Sequence, residues 1–153
     1  MTTLLYVAHL LCAVVWVGGM VFAVGVLRPA AHGALEGPQR LALMAEVFRR
    51  FFRVLWHVVP ILLLSGWAML FGWYWGFGAS IWHVHAMHAA GLVMAAIFGF
   101  VALVPWQRMR AALASGDRAV AAAALDTIRK GVAVNMVIGL ATVAVAAWGR
   151  FGG

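Results

Sequence analysis

Carboxylates are scarce in this chain: four Asp and Glu residues stand against eleven Lys and Arg in 153 residues. All four (Glu36, Glu46, Asp117 and Asp126) lie outside the long apolar runs. Carboxylate proton relays and acidic calcium sites inside those runs are therefore excluded. No Ser–His–Asp or Cys–His set with a buried carboxylate can be assembled either. Cys12 is the single cysteine, so there is no disulfide framework within the chain. A glycine-rich phosphate loop after a strand is also missing. What remains for chemistry is histidine, methionine and tryptophan in apolar surroundings.

The chain is 66% hydrophobic and 10% charged, with a mean hydropathy of +1.00, far from a soluble domain. Four runs are long enough to cross a bilayer: about Leu4–Leu27, Val54–Trp75, Trp82–Val104 and Val132–Trp148. Little is left over, so residues 1–153 read as one integral membrane domain, an all-α four-helix transmembrane bundle. The first run is too long for a signal-peptide core and has no basic stretch before it, so it is expected to stay as a helix.

Ten of the eleven basic residues fall in two connections: Arg28 to Arg53 and Arg108 to Lys130. The positive-inside rule then places both connections in the cytoplasm and both termini outside. The net charge of +7 reads as topology plus contact with anionic lipid. Nucleic-acid binding would need that charge on a soluble face with exposed aromatics, and is excluded.

His9 and His85 stand 76 residues apart, each just inside an apolar run and each followed 20 residues later by a proline, Pro29 or Pro105. Arg53 and Arg129 repeat the offset. Two pseudo-repeated helix pairs, about residues 1–76 and 77–153, would face the two imidazoles across an axis along the membrane normal. Two histidines at one depth suit a six-coordinate haem. The leading expectation is a b-type haem redox protein with His9 and His85 as axial ligands and Trp16 and His88 beside the cofactor. Arg150, with indole N–H groups from Trp73, Trp75 or Trp82, would meet the propionates. Electrons would pass to or from quinol or an outer-side acceptor, and bis-histidine ligation favours electron transfer over oxygen activation. The alternative, from the same residues, is copper binding or transport through His9, His85 and His88. A third reading is an accessory subunit that binds nothing.

Between Gly37-Pro38 and Leu55, the residues Leu41, Met44, Phe48, Phe51 and Leu55 recur at helical spacing opposite Arg40, Glu46, Arg50 and Arg53. That pattern predicts an amphipathic cytoplasmic segment lying at the interface and bending into the second crossing. In the second connection Gly116 ends a helix, Asp117 caps the next, and Asp126 can pair with Arg129 or Lys130. The short connection Gly76–Ile81 makes helices two and three antiparallel neighbours, with Trp73, Tyr74, Trp75 and Trp82 as an aromatic belt. Small-residue stripes mark packing faces: His88, Gly91, Ala95 and Gly99 on helix three, and Gly131, Asn135 and Gly139 on helix four. On helix one His9 aligns with Cys12, Trp16 and Gly19 or Met20. His57 sits near the cytoplasmic end, just before Pro60, and is expected to be satisfied locally. His83 and His32 read as ordinary interfacial and loop residues. Met20, Met69, Met87, Met94 and Met136 could offer thioethers at successive depths, though methionine is more often plain filler.

The stretch from His9 through Trp16 to Gly19 resembles the first helix of the copper-resistance D family of small membrane proteins. Trp82-His-Val-His85-Ala-Met, the basic amphipathic segment and the run Ile128–Thr142 resemble that family too. The architecture is also similar to that of the bacterial haem-dependent protoporphyrinogen oxidases, which likewise place a histidine seven residues before a tryptophan in helix one. Where those enzymes start helix three with Leu-His-Val-Lys, this chain has Trp82-His83-Val84-His85. The lysine is missing, which counts against porphyrinogen oxidation while leaving a b haem open. The family resemblance implies copper handling and a multi-pass protein of the bacterial inner membrane, with both termini periplasmic. Oligomeric state is not legible.

Overall fold

The computed structural model describes residues 2–73, 75–79 and 81–151, without the side chains of Thr2, Ala79 and Arg150. Tyr74 of the aromatic belt and the Arg150 side chain, expected near the propionates, thus lie outside the described residues.

Every regular element among the described residues is helical. The order is α1 (Thr2–Phe22), a π-turn (Ala23–Leu27), α2 (Arg28–Ala34), α3 (Gly37–Trp73), a 3₁₀ turn (Phe77–Ala79), α4 (Trp82–Leu103), α5 (Pro105–Ala114) and α6 (Arg118–Arg150). Four continuous stretches, the longest α3 with 37 residues, are long and apolar enough to cross a membrane. At about 1.5 Å per residue α3 spans about 55 Å, against a hydrocarbon core of about 30 Å. Its excess length carries the polar face of Arg40 to Arg53, at the end where both basic connections lie.

Chain chemistry sets the breaks. Pro105 occupies the first turn of α5, where its missing N–H costs nothing. Gly116 takes φ +78°, a left-handed conformation open to glycine, and so stops α5. Asp117 Oδ1 then accepts from Val120 N–H at 3.0 Å and caps α6. The expected Asp126 ion pair forms with Lys130, at 2.7 Å.

α1 packs chiefly on α3 and α4 chiefly on α6. The short connection between α3 and α4 gives them only slight contact, so sharing a loop does not make those two helices principal neighbours. The core is concentrated toward the basic end. Phe48, Phe52 and Leu55 of α3 meet Phe98, Trp106 and Met109 there, with Ala121 and Ile128 from α6. Phe52 stands edge-on to Trp106 at 5.6 Å and to Phe98 at 6.0 Å. Outward faces such as Leu10, Val14, Leu64 and Val137 are exposed and apolar, as lipid-facing positions must be.

Two expectations are corrected. The amphipathic segment does not bend into the crossing; Gly37 to Trp73 is one helix with Pro60 inside it. Its apolar stripe is also buried among helices rather than laid on an interface. Leu41, Met44, Phe48, Phe52 and Leu55 are the buried positions, with Phe52 in the place assigned to Phe51. Phe51 instead covers Gly19 of α1. Of the small-residue stripes, Gly131 and Gly139 do face neighbouring helices, meeting Val101, Val17 and Met94. Gly99 faces open space.

Candidate functional site

α1 carries His9, Cys12, Trp16 and Met20 at three- and four-residue spacing, so they share one face. Farthest from the basic end, the His9 ring lies against α3. A Cβ at Gly66 would stand 3.1 Å from its Cε1, so glycine there lets the imidazole approach the helix. His9 Nδ1 is 2.9 Å from the Leu62 carbonyl oxygen and 3.1 Å from Ser65 Oγ. Ser65 Oγ donates in turn to the carbonyls of Ile61 at 2.7 Å and Leu62 at 3.0 Å. A carbonyl can only accept, so Nδ1 carries the hydrogen and Nε2 keeps its lone pair. Binding one ring nitrogen to a backbone carbonyl is how proteins orient a metal-ligating histidine.

Cys12 is partly buried and free of disulfide. Deeper along the face, Trp16 and Met20 are almost wholly buried, and Trp16 stands edge-on to Phe98 at 6.3 Å. Both line a cavity of about 10 Å³, room for one water-sized sphere, together with Phe52, Leu55 and Asn135. Asn135 is 3% exposed. Its Nδ2 donates to the Met94 carbonyl at 3.0 Å, while its Oδ1 is buried without a hydrogen-bond partner. An unsatisfied buried acceptor costs about 1–3 kcal/mol, so this amide oxygen stands ready for a ligand.

The remaining histidines are dispersed. His85 is exposed, its ring stacked on Phe77 at 5.8 Å. His88 is partly buried between Phe77 at 4.9 Å and Trp67 at 6.2 Å. His83, read from the sequence as ordinary, is buried against Gly149 of α6. His57 is satisfied locally as expected, its Nδ1 donating to the Arg53 carbonyl at 2.9 Å. His32 Nδ1 accepts from Arg40 at 3.0 Å.

Among the described residues no three His, Cys, Asp or Glu side chains converge to hold a metal. The expected copper set of His9, His85 and His88 is therefore not assembled here, because His9 turns toward α3 and the other two toward Phe77. The His9 and His85 rings each have their own partner, Leu62 with Ser65 and Phe77. The cavity beside Trp16, like that beside Arg129, has room for a single water and is lined by neither His9 nor His85. Ser65 and the burial of His83 were not anticipated. The one signal for Ser65 was a lone serine in an otherwise apolar crossing.

No curated protein and no solved structure matches the chain. A family model described as copper resistance protein D matches residues 45–149, from the amphipathic part of α3 to the end of α6. With more than half of its length matched, in a four-helix bundle of the kind just described, the chain belongs to the copper resistance protein D family.

Proposed function

We propose that this membrane protein takes up copper(I) from the outer side of a bacterial inner membrane and holds it along α1 at successive depths. The donors are His9 Nε2, Cys12 Sγ and Met20 Sδ, with Asn135 Oδ1 and the Trp16 ring face closing the deepest position. Imidazole, thiolate and thioether suit copper(I). Copper(I) replaces the Cys12 thiol proton, so the charge inside the bilayer does not rise. From His9 to Met20 the ladder descends about 16 Å at 1.5 Å per residue, over half the hydrocarbon thickness. The observation that carries this reading is the bond from His9 Nδ1 to the Leu62 carbonyl, which leaves Nε2 as a fixed, neutral donor. Basic residues at the opposite end support an outward-facing entrance and periplasmic termini.

The test is copper(I) binding by detergent-purified protein, measured by competition with a coloured chelator. Stoichiometric binding that is lost in His9→Ala and weakened in Cys12→Ser and Met20→Leu supports the ladder. No binding by the wild type sinks it. Axial haem ligation by His9 and His85 is the competing use of the same lone pair. A Soret band with sharp reduced bands in the purified protein would replace the copper reading with that one.

A further inference from the structure

We infer that the basic end of the bundle carries a binding site for the phosphate of an anionic membrane lipid, built by Arg28 and Arg129. Arg28 and Arg129 line one cavity with Met44, Phe48 and Val132. Arg129 Nε is buried without a hydrogen-bond partner, and the Arg28 guanidinium shares that cavity with it. Two like charges thus line one cavity, and Asp126, three residues before Arg129, is already engaged by Lys130 at 2.7 Å. A phosphate at the mouth of the cavity, between the exposed Arg28 and the partly buried Arg129, would relieve that repulsion in the forked geometry that guanidinium and phosphate share.

The level of the site favours a lipid. Arg28 directly follows the first apolar run and Arg129 lies three residues before the fourth, which favours headgroup depth for both. The π-turn Ala23–Leu27, a device common at functional sites, widens the helix where it delivers Arg28 to α6. This inference stands apart from the copper reading and needs none of its residues.

The experiment is native mass spectrometry of the detergent-purified protein titrated with phosphatidylglycerol or phosphatidylcholine. Wild-type protein should retain phosphatidylglycerol about tenfold better than phosphatidylcholine, and each of Arg129→Gln and Arg28→Gln should cut that retention about fivefold. Arg110→Gln, which removes an exposed arginine paired with Gln107, should change it less than twofold. Arg28 is exposed, so R28Q keeps the test open should R129Q fail to fold. Equal retention of both lipids, or an equal loss in R110Q, overturns the site. Displacement of the lipid by millimolar inorganic phosphate would make it a site for free phosphate and overturn the lipid assignment.

Discussion

His9 on α1 and Leu62 on α3 are tied by a hydrogen bond of 2.9 Å across 53 residues of sequence. Ser65 is the second acceptor of the same N–H. Ser65→Ala should weaken copper(I) binding about tenfold, the scale typical for partners that orient a metal ligand. His9→Ala should abolish it. Chelator competition on both variants measures this, and an unchanged affinity in His9→Ala would remove α1 from the site.

Asn135 separates a ligand role from a packing role. Asn135→Leu removes the unpaired Oδ1 along with the donor to Met94. If the amide were structural alone, the variant would lose stability while copper binding stayed intact. The expected result is the reverse. Melting should stay close to wild type, because the lost Nδ2 bond to Met94, worth about 1 kcal/mol, is offset by removal of the buried unsatisfied Oδ1. Copper uptake into proteoliposomes should fall.

Gly149 lets α6 approach His83 of α4. A methyl at position 149 would overlap the His83 ring and stand 2.6 Å from its Cβ, which cannot swing away. Gly149→Ala should therefore destabilise by about 1–3 kcal/mol. Gly33, whose Cβ position is open, should gain up to about 1 kcal/mol as alanine within α2. Thermal unfolding in one detergent compares the two, and equal effects would refute the α4–α6 contact.

Phe48 and Phe51 should now behave differently. Phe48 is 1% exposed and stacked on Phe52 at 5.5 Å, so Phe48→Ala should cost about 3–5 kcal/mol. Phe51 is only partly buried, over Gly19, and its alanine variant should cost clearly less. Parallel unfolding curves decide.

Reporters at Glu36 and Ser115, each in a break between helices, should be cytoplasmic, and the termini should label from outside. The expectation rests on the ten-to-one partition of basic residues. A cytoplasmic C-terminus would rule out the orientation proposed for the copper ladder.

The four crossings, the Asp117 cap, the Gly116 stop and the bundle class were legible in the sequence, because each follows from local chemistry. Apolar length reports membrane spanning, and turn residues report their own backbone. The α1 face of His9, Cys12, Trp16 and Met20 was legible too, since helical spacing alone aligns it. Which way the His9 ring turns was not. That depends on Gly66 and Ser65 of α3 reaching the same depth, a matter of how two helices far apart in sequence slide against each other. The same holds for Phe52 in place of Phe51, because an amphipathic stripe tolerates a shift of one residue until partner helices fix which side is covered. The meeting of Arg28 and Arg129 at one cavity is likewise a product of packing. The sequence confines most basic residues to two connections, and only the docking of α6 beside the π-turn brings Arg28 and Arg129 to one cavity.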